Sequence, residues 1–220
     1  MSIATNLQSI KEKLPEHVSL VAVSKTKSNQ VILEAYNNGQ KVFGENKVQE
    51  MVQKWEALPK DIEWHMIGHV QRNKVKYMAE FVDLIHGVDS LKLLLEINKQ
   101  AKKHHRRINC LLQMHIAEED SKFGLDRSEM LNIIKSDELK QLKNVKIVGL
   151  MGMATFTSDK FQIRKEFNQL KGLFDELKGQ TPDVTVLSMG MSGDFNIAIE
   201  EGSTMVRIGS SIFGSRNYST

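Results

Sequence analysis

The sequence predicts an α/β fold: a single (β/α)8 TIM barrel over residues 1–220, with a short helix ahead of its first strand. Three observations carry that prediction. Short apolar runs alternate with helix-patterned segments about eight times along the chain. Several of the runs are apolar on both faces, as parallel strands covered from both sides are. Their even spacing favours a closed barrel over an open doubly wound sheet, and no linker, repeat or shift of composition divides the chain.

The elements follow in order. Residues 2 to 14 form an amphipathic helix, because Ile3, Leu7, Ile10 and Leu14 recur at three- and four-residue steps before Pro15. "VSLVAVS" is the first strand, residues 29 to 38 a helix stopped by Asn38 and Gly39, and "KVFGEN" the second strand. A helix over 47 to 57 leads to the third strand, "IEWHMIG", and a helix over about 71 to 80 to the fourth, "DLIHGVDS". Residues 90 to 104 are helical, "INCLLQMHI" is the fifth strand, 126 to 136 a helix and "VKIVGLMGMA" the sixth strand. The clearest helix comes next, with Ile163, Phe167, Leu170, Phe174 and Leu177 on one face. "DVTVLSMG" is the seventh strand, 194 to 201 a short helix, and "STMVRIGSSIFG" the eighth strand with its loop.

Composition narrows the function. The 30 basic and 27 acidic residues leave a net charge of +3, too mild to imply a nucleic-acid partner. The most basic run, Lys102 to Arg107, reads as a solvated face on the rim opposite Lys25, and it lacks the aromatics that stack on bases. Cys110 is the one cysteine, so neither an intrachain disulfide nor a Cys-x-x-Cys metal site is expected. No apolar leader and no apolar run of membrane-spanning length is present. The expectation is a cytoplasmic protein with no membrane partner and no metal.

In such a barrel, chemistry collects at the carboxyl ends of the strands. Lys25 ends an apolar run, where burying an unpaired ammonium is costly. It reads either as an amine that condenses with an aldehyde or as a solvated strand-end lysine. Lys27 and Lys122 compete with it from farther into loops, and Glu45 either orients Lys25 or faces water. Asn46 reads as a contact to a ligand ring or as a helix cap. Ser192, between Gly190 and Gly193, and the pair Gly209 and Ser210 after the eighth strand offer hydroxyl and amide donors where barrels often bind phosphate. Arg207 can share a face with Gly209, either as a fixed donor beside a phosphate-anchored ring or paired with a barrel carboxylate. In "WHMIG", alternation does not decide whether His65 or Met66 faces the lumen.

The pieces "AVSKTK", "FGENKVQE", "WHMIGHVQRNKVK", "VDS", "SKFG", "GLMGMAT", "LSMGMSGD" and "STMVRIGSSIFG" closely resemble the YggS/PROSC family, the pyridoxal phosphate homeostasis proteins. That resemblance spans about Val21 to Gly214 and extends to the amino-terminal barrel of alanine racemase, a fold-type III pyridoxal phosphate architecture. It implies pyridoxal 5'-phosphate as cofactor, held by Lys25 as a reversible Schiff base. Ser192, Gly209 and Ser210 then contact the phosphate, with a backbone amide from Met191 or Gly193, Arg207 faces the pyridine nitrogen, and Asn46 lies near the cofactor. "HGVDS" departs from the usual wording at Gly87, as do "HVQRNK" and "QMHIAEED".

A racemase needs a second base facing Lys25. Tyr36 and Tyr77 fall in helical patterns, Tyr218 is terminal, and the chain leaves no room for alanine racemase's second domain. The expectation is therefore a carrier in cofactor homeostasis without robust catalysis, with an amino-acid racemase as the alternative. Its partners would be the cofactor, amino acids and, transiently, recipient apoenzymes. It would act as a monomer.

Overall fold

The computed structural model describes residues 2–119, 123–181 and 183–214. Lys122 and Tyr218 lie outside the described residues. Eight parallel strands close on themselves in chain order: β1 (Ser19–Val23), β2 (Val42–Glu45), β3 (Glu63–Met66), β4 (Leu84–Val88), β5 (Ile108–Gln113), β6 (Val145–Met151), β7 (Val186–Ser188) and β8 (Met205–Ile208). Pairing of β1 with β8, Val21 opposite Arg207 and Ala22 opposite Ile208, closes the ring. The predicted barrel and its leading helix are both present.

The helices are α1 (Ile3–Lys11), α2 (Asn29–Asn37), α3 (Val48–Ala57), α4 (Val75–Met78), α5 (Leu91–Lys103), α6 (Arg127–Lys135), α7 (Asp137–Gln141), α8 (Lys160–Gln180), α9 (Phe195–Glu200) and α10 (Ser210–Phe213). Their starts are set locally. Ser2, Ser28, Ser90 and Asp159 accept hydrogen bonds from the first-turn amides of α1, α2, α5 and α8, and Asp126 with Glu129 forms a capping box on α6. Gln71 offers no such bond, and the segment after β3 begins as a 3-10 turn, Arg72–Lys74, before α4. The single helix expected over 71 to 80 is thus two short pieces. Two further helices, α7 and α10, stand where no helix was expected.

Two apolar clusters hold the layers together. The larger lies between strands and helices and includes Ala22, Phe43, Trp64, Met66, Phe167 and Ile208. The smaller comprises Val21, Leu84, Leu111, Val148, Met151 and Met205 and fills the barrel interior. Alternation along β1 therefore sends Ala22 outward to the helices and Val21 inward. Val23 and Lys25 continue the inward set, while Ser24 joins the outward one.

Candidate functional site

That parity answers why an apolar strand ends in lysine. Lys25 is half-buried and lines a cavity of about 880 Å³ at the carboxyl ends of the strands. Asn46, Ser192, Arg207, Gly209 and Ser210 line the same cavity, so all six candidate residues come together. Val23, Ile67, Met153 and Ala154 form its apolar wall. Asn46 is not a helix cap: α3 starts from Lys47, which makes no side-chain capping bond.

One wall gathers hydroxyls and backbone amides around Ser192. Ser192 Oγ accepts hydrogen bonds from the backbone N–H of Gly209 at 3.3 Å and of Ser211 at 3.4 Å. Ser211 went unremarked in the sequence, because its contribution is an amide and any residue type supplies one. Gly190 turns the chain into this wall at φ +96, and a Cβ there would lie 2.6 Å from that of Ala198. Its carbonyl accepts from Arg207 N at 2.9 Å, which ties the two phosphate-type segments together. The Met191 amide, one of the two alternatives expected, donates to Asp194 Oδ1 at 2.5 Å.

Arg207 is 3% exposed at the bottom of the cavity. Its guanidinium donates to Ser188 O at 2.9 Å, Ser188 Oγ at 2.6 Å and Gly152 O at 3.0 Å. Neutral oxygens thus accept its hydrogen bonds, in place of the barrel carboxylate that was the alternative. Burial pulls its pKa down to about 10, with Asp194 opposing, so it stays charged at neutral pH.

The polar line continues across the lumen. Ser188 Oγ is 3.1 Å from His86 Nδ1, and His86 Nε2 is 3.1 Å from His65 Nδ1. Arg207 only donates, so Ser188 Oγ accepts from it, and the two imidazoles carry the hydrogen-bonded line on to His65. Both rings are neutral: burial lowers His65 to about 3 and, with His65 and Arg207 nearby, lowers His86 well below its ordinary value. His65 is therefore the lumen residue of its strand, and Met66 packs outward. His86 was missed, although a histidine inside the apolar "LIHGV" strand was the available signal.

Glu45 does not face water. It is fully buried, and its Oε1 accepts from Ser24 Oγ at 2.5 Å and Lys54 Nζ at 2.7 Å. Lys27 is half-buried and lines the cavity, with its ammonium on the Phe213 carbonyl at 3.0 Å. His69 lines the cavity, bonded to Asp89 Oδ2 at 3.1 Å and stacked on Phe123 at 4.2 Å. Gly87 has a local reason: a Cβ there would lie 2.6 Å from the Gly68 carbonyl oxygen.

The family model for the alanine racemase N-terminal domain matches residues 1–217. A pyridoxal phosphate homeostasis protein of Vibrio alginolyticus is 42% identical over 94% of this chain and 90% of its own length. The one from Escherichia coli K12 is 37% identical over 99% of this chain and 98% of its own. The chain belongs to the pyridoxal phosphate homeostasis protein family. A member of that family, PipY of Synechococcus elongatus, superposes without PLP at a TM-score of 0.91 and 37% identity. Its structure with PLP bound superposes at 0.88 and 36%, and both cover 97% of this chain and 100% of PipY. Alanine racemase of Clostridium difficile, at 17% identity and a TM-score of 0.83 over 61% of its length, shares the barrel fold with the family.

Proposed function

We propose that this chain binds pyridoxal 5'-phosphate in the cavity around Lys25 and acts in cofactor homeostasis, holding the cofactor as a reversible Schiff base. The observation that carries the reading is the convergence of Lys25, the Ser192–Gly209–Ser211 donor wall and the Arg207 guanidinium on one cavity. The residues fit the group. Hydroxyl and amide donors suit a phosphate, the Ile67 and Met153 wall suits a flat ring, and Lys25 supplies the amine. When bound, pyridoxal phosphate supplies an aldehyde that condenses with a primary amine and is released by a competing amine.

Arg207 would face the pyridine nitrogen. A guanidinium that keeps its protons gives none to the ring, which leaves the ring a weak electron sink. That supports a carrier over a robust catalyst, with amino acids as releasing amines and recipient apoenzymes as transient partners. The single cysteine, Cys110, is buried with its thiol pKa pushed up by burial, which suits a reducing cytoplasm. No helix among the described residues is long and apolar enough to cross a membrane.

Mixing the protein with pyridoxal phosphate, reducing with borohydride and mapping peptides should place the adduct on Lys25. Lys25→Ala should lose the stable adduct while keeping residual phosphate-site binding. An adduct solely on Lys27 or Lys122 would overturn the assignment.

The racemase reading has one observation in its favour. Tyr36 bonds to Asp61 outside the cavity, but His69, oriented by Asp89, lines it. Chiral product analysis of the wild type and His69→Phe decides: racemisation that vanishes in both His69→Phe and Lys25→Ala selects the racemase, and none selects the carrier.

A further inference from the structure

We propose that Lys54, on α3, is a positioning residue that sets how Lys25 is presented to the cavity. The inference rests on the reading of Lys25 as the attachment point. Lys54 Nζ lies 2.9 Å from Ser24 O, 2.7 Å from Glu45 Oε1 and 2.7 Å from Glu50 Oε1, and its side chain is 6% exposed. An ammonium has three protons, and these three oxygens use them all.

Those partners grip the chain on both sides of Lys25. The Ser24 carbonyl takes one proton of Lys54 and also accepts Lys27 N at 3.0 Å, which closes a turn around residues 25 and 26. Ser24 Oγ donates to Glu45. On the other side, Thr26 N donates to Glu50 Oε1 at 2.6 Å. Thr26 sits at φ +65, a region that β-branched residues rarely adopt and that persists only where the surroundings enforce it. The residues before and after Lys25 are thus bound to one ammonium–carboxylate cluster.

The cluster stands behind the barrel wall. Ser24, Glu45, Glu50 and Lys54 are absent from the cavity lining, so they act on the site only through neighbouring residues, among them Lys25, which is flanked on both sides. Packing alone is a poor reason for them, because burying an ammonium with two carboxylates carries a desolvation cost that apolar residues avoid. Glu45 Oε2 is buried without a hydrogen-bond partner. Such a cluster is accounted for by the geometry it imposes on residues 24 to 26.

The test uses Lys54→Met, which keeps length and removes the charge. Three quantities are compared with the wild type: the rate of the borohydride-trapped Lys25 adduct, affinity for pyridoxine 5'-phosphate, which has ring and phosphate but no aldehyde, and exchange of the Thr26 amide in cofactor-free protein. Adduct formation should slow by about tenfold or more, as misplaced reacting groups do. Pyridoxine phosphate affinity should hold within about twofold while Thr26 exchange quickens. An unchanged adduct rate overturns the proposal, and so does an equal loss of pyridoxine phosphate binding, which would mark a general structural role. Should Lys54→Met fail to fold, Glu50→Ala, at a side chain 24% exposed, removes the Thr26 anchor with the same expectations and the same overturning results. If the wild type forms no adduct on Lys25, the functional reading falls and this inference with it.

Discussion

Arg207 is a cation bonded to oxygens that carry no charge of their own. Ser188 offers the sharpest test, since its hydroxyl joins Arg207 to His86. Ser188→Ala leaves one guanidinium N–H and His86 Nδ1 short of a partner and should cost about 1–3 kcal/mol in urea denaturation. The histidines make stability depend on pH. His65 has an ordinary value of 6.5 and about 3 in the fold, so below pH 6.5 the unfolded chain binds more protons than the native one. Stability is full above that pH and should be lost as pH falls toward 3, by up to about 1.4 kcal/mol per pH unit for each such histidine. Denaturation between pH 8 and pH 4 should show a shallower fall in His65→Gln, and an identical slope would refute the linkage. Glu45 works in the opposite sense, because burial raises its pKa, but it is common to both proteins and cancels.

At the scale of elements, the turn after β7 makes the donor wall. Gly190→Ala forces a side chain into the left-handed region against Ala198 and should cost about 1–3 kcal/mol of stability, read as a lower unfolding midpoint. The same variant should weaken pyridoxine phosphate binding, because Gly190 O and Arg207 N set the spacing of the two segments. Element length explains what could be read in advance. The apolar face of α8 was legible because it runs for several turns, and Ile163, Phe167, Leu170, Phe174 and Leu177 are all buried. α10 has four residues and α7 five, too few to display a helical period. The strands were found but drawn too long, since buried apolar residues such as Met114 and Ile116 continue past the end of β5.

For the whole molecule, closure of the barrel is what assembles the site. Val21 pairs with Arg207 across the seam, and a Cβ on Gly209 would lie 3.2 Å from the Val23 carbonyl, so the first and last strands bring Lys25 and the Gly209–Ser210 segment side by side. We propose that the protein acts as a monomer and binds cofactor without help from a second copy. Sedimentation should give a monomer mass, and cofactor bound per chain should not change on dilution. A concentration-dependent loss of binding would point to a site shared between chains.

The sequence by itself determined the barrel, the rim on which the candidate residues gather and Lys25 as a candidate on that rim. These depend on local periodicity and strand alternation, which the chain carries residue by residue. Only the tertiary structure decided who meets whom: Glu45 with Lys54, Arg207 with Ser188, His86 with His65. Those pairs depend on register between strands and on how helices sit against them, and a slip of one residue would turn each side chain to the other face. The lysine at the end of the first strand was therefore visible as a candidate, whereas the cluster that holds its turn needed the closed barrel to be seen.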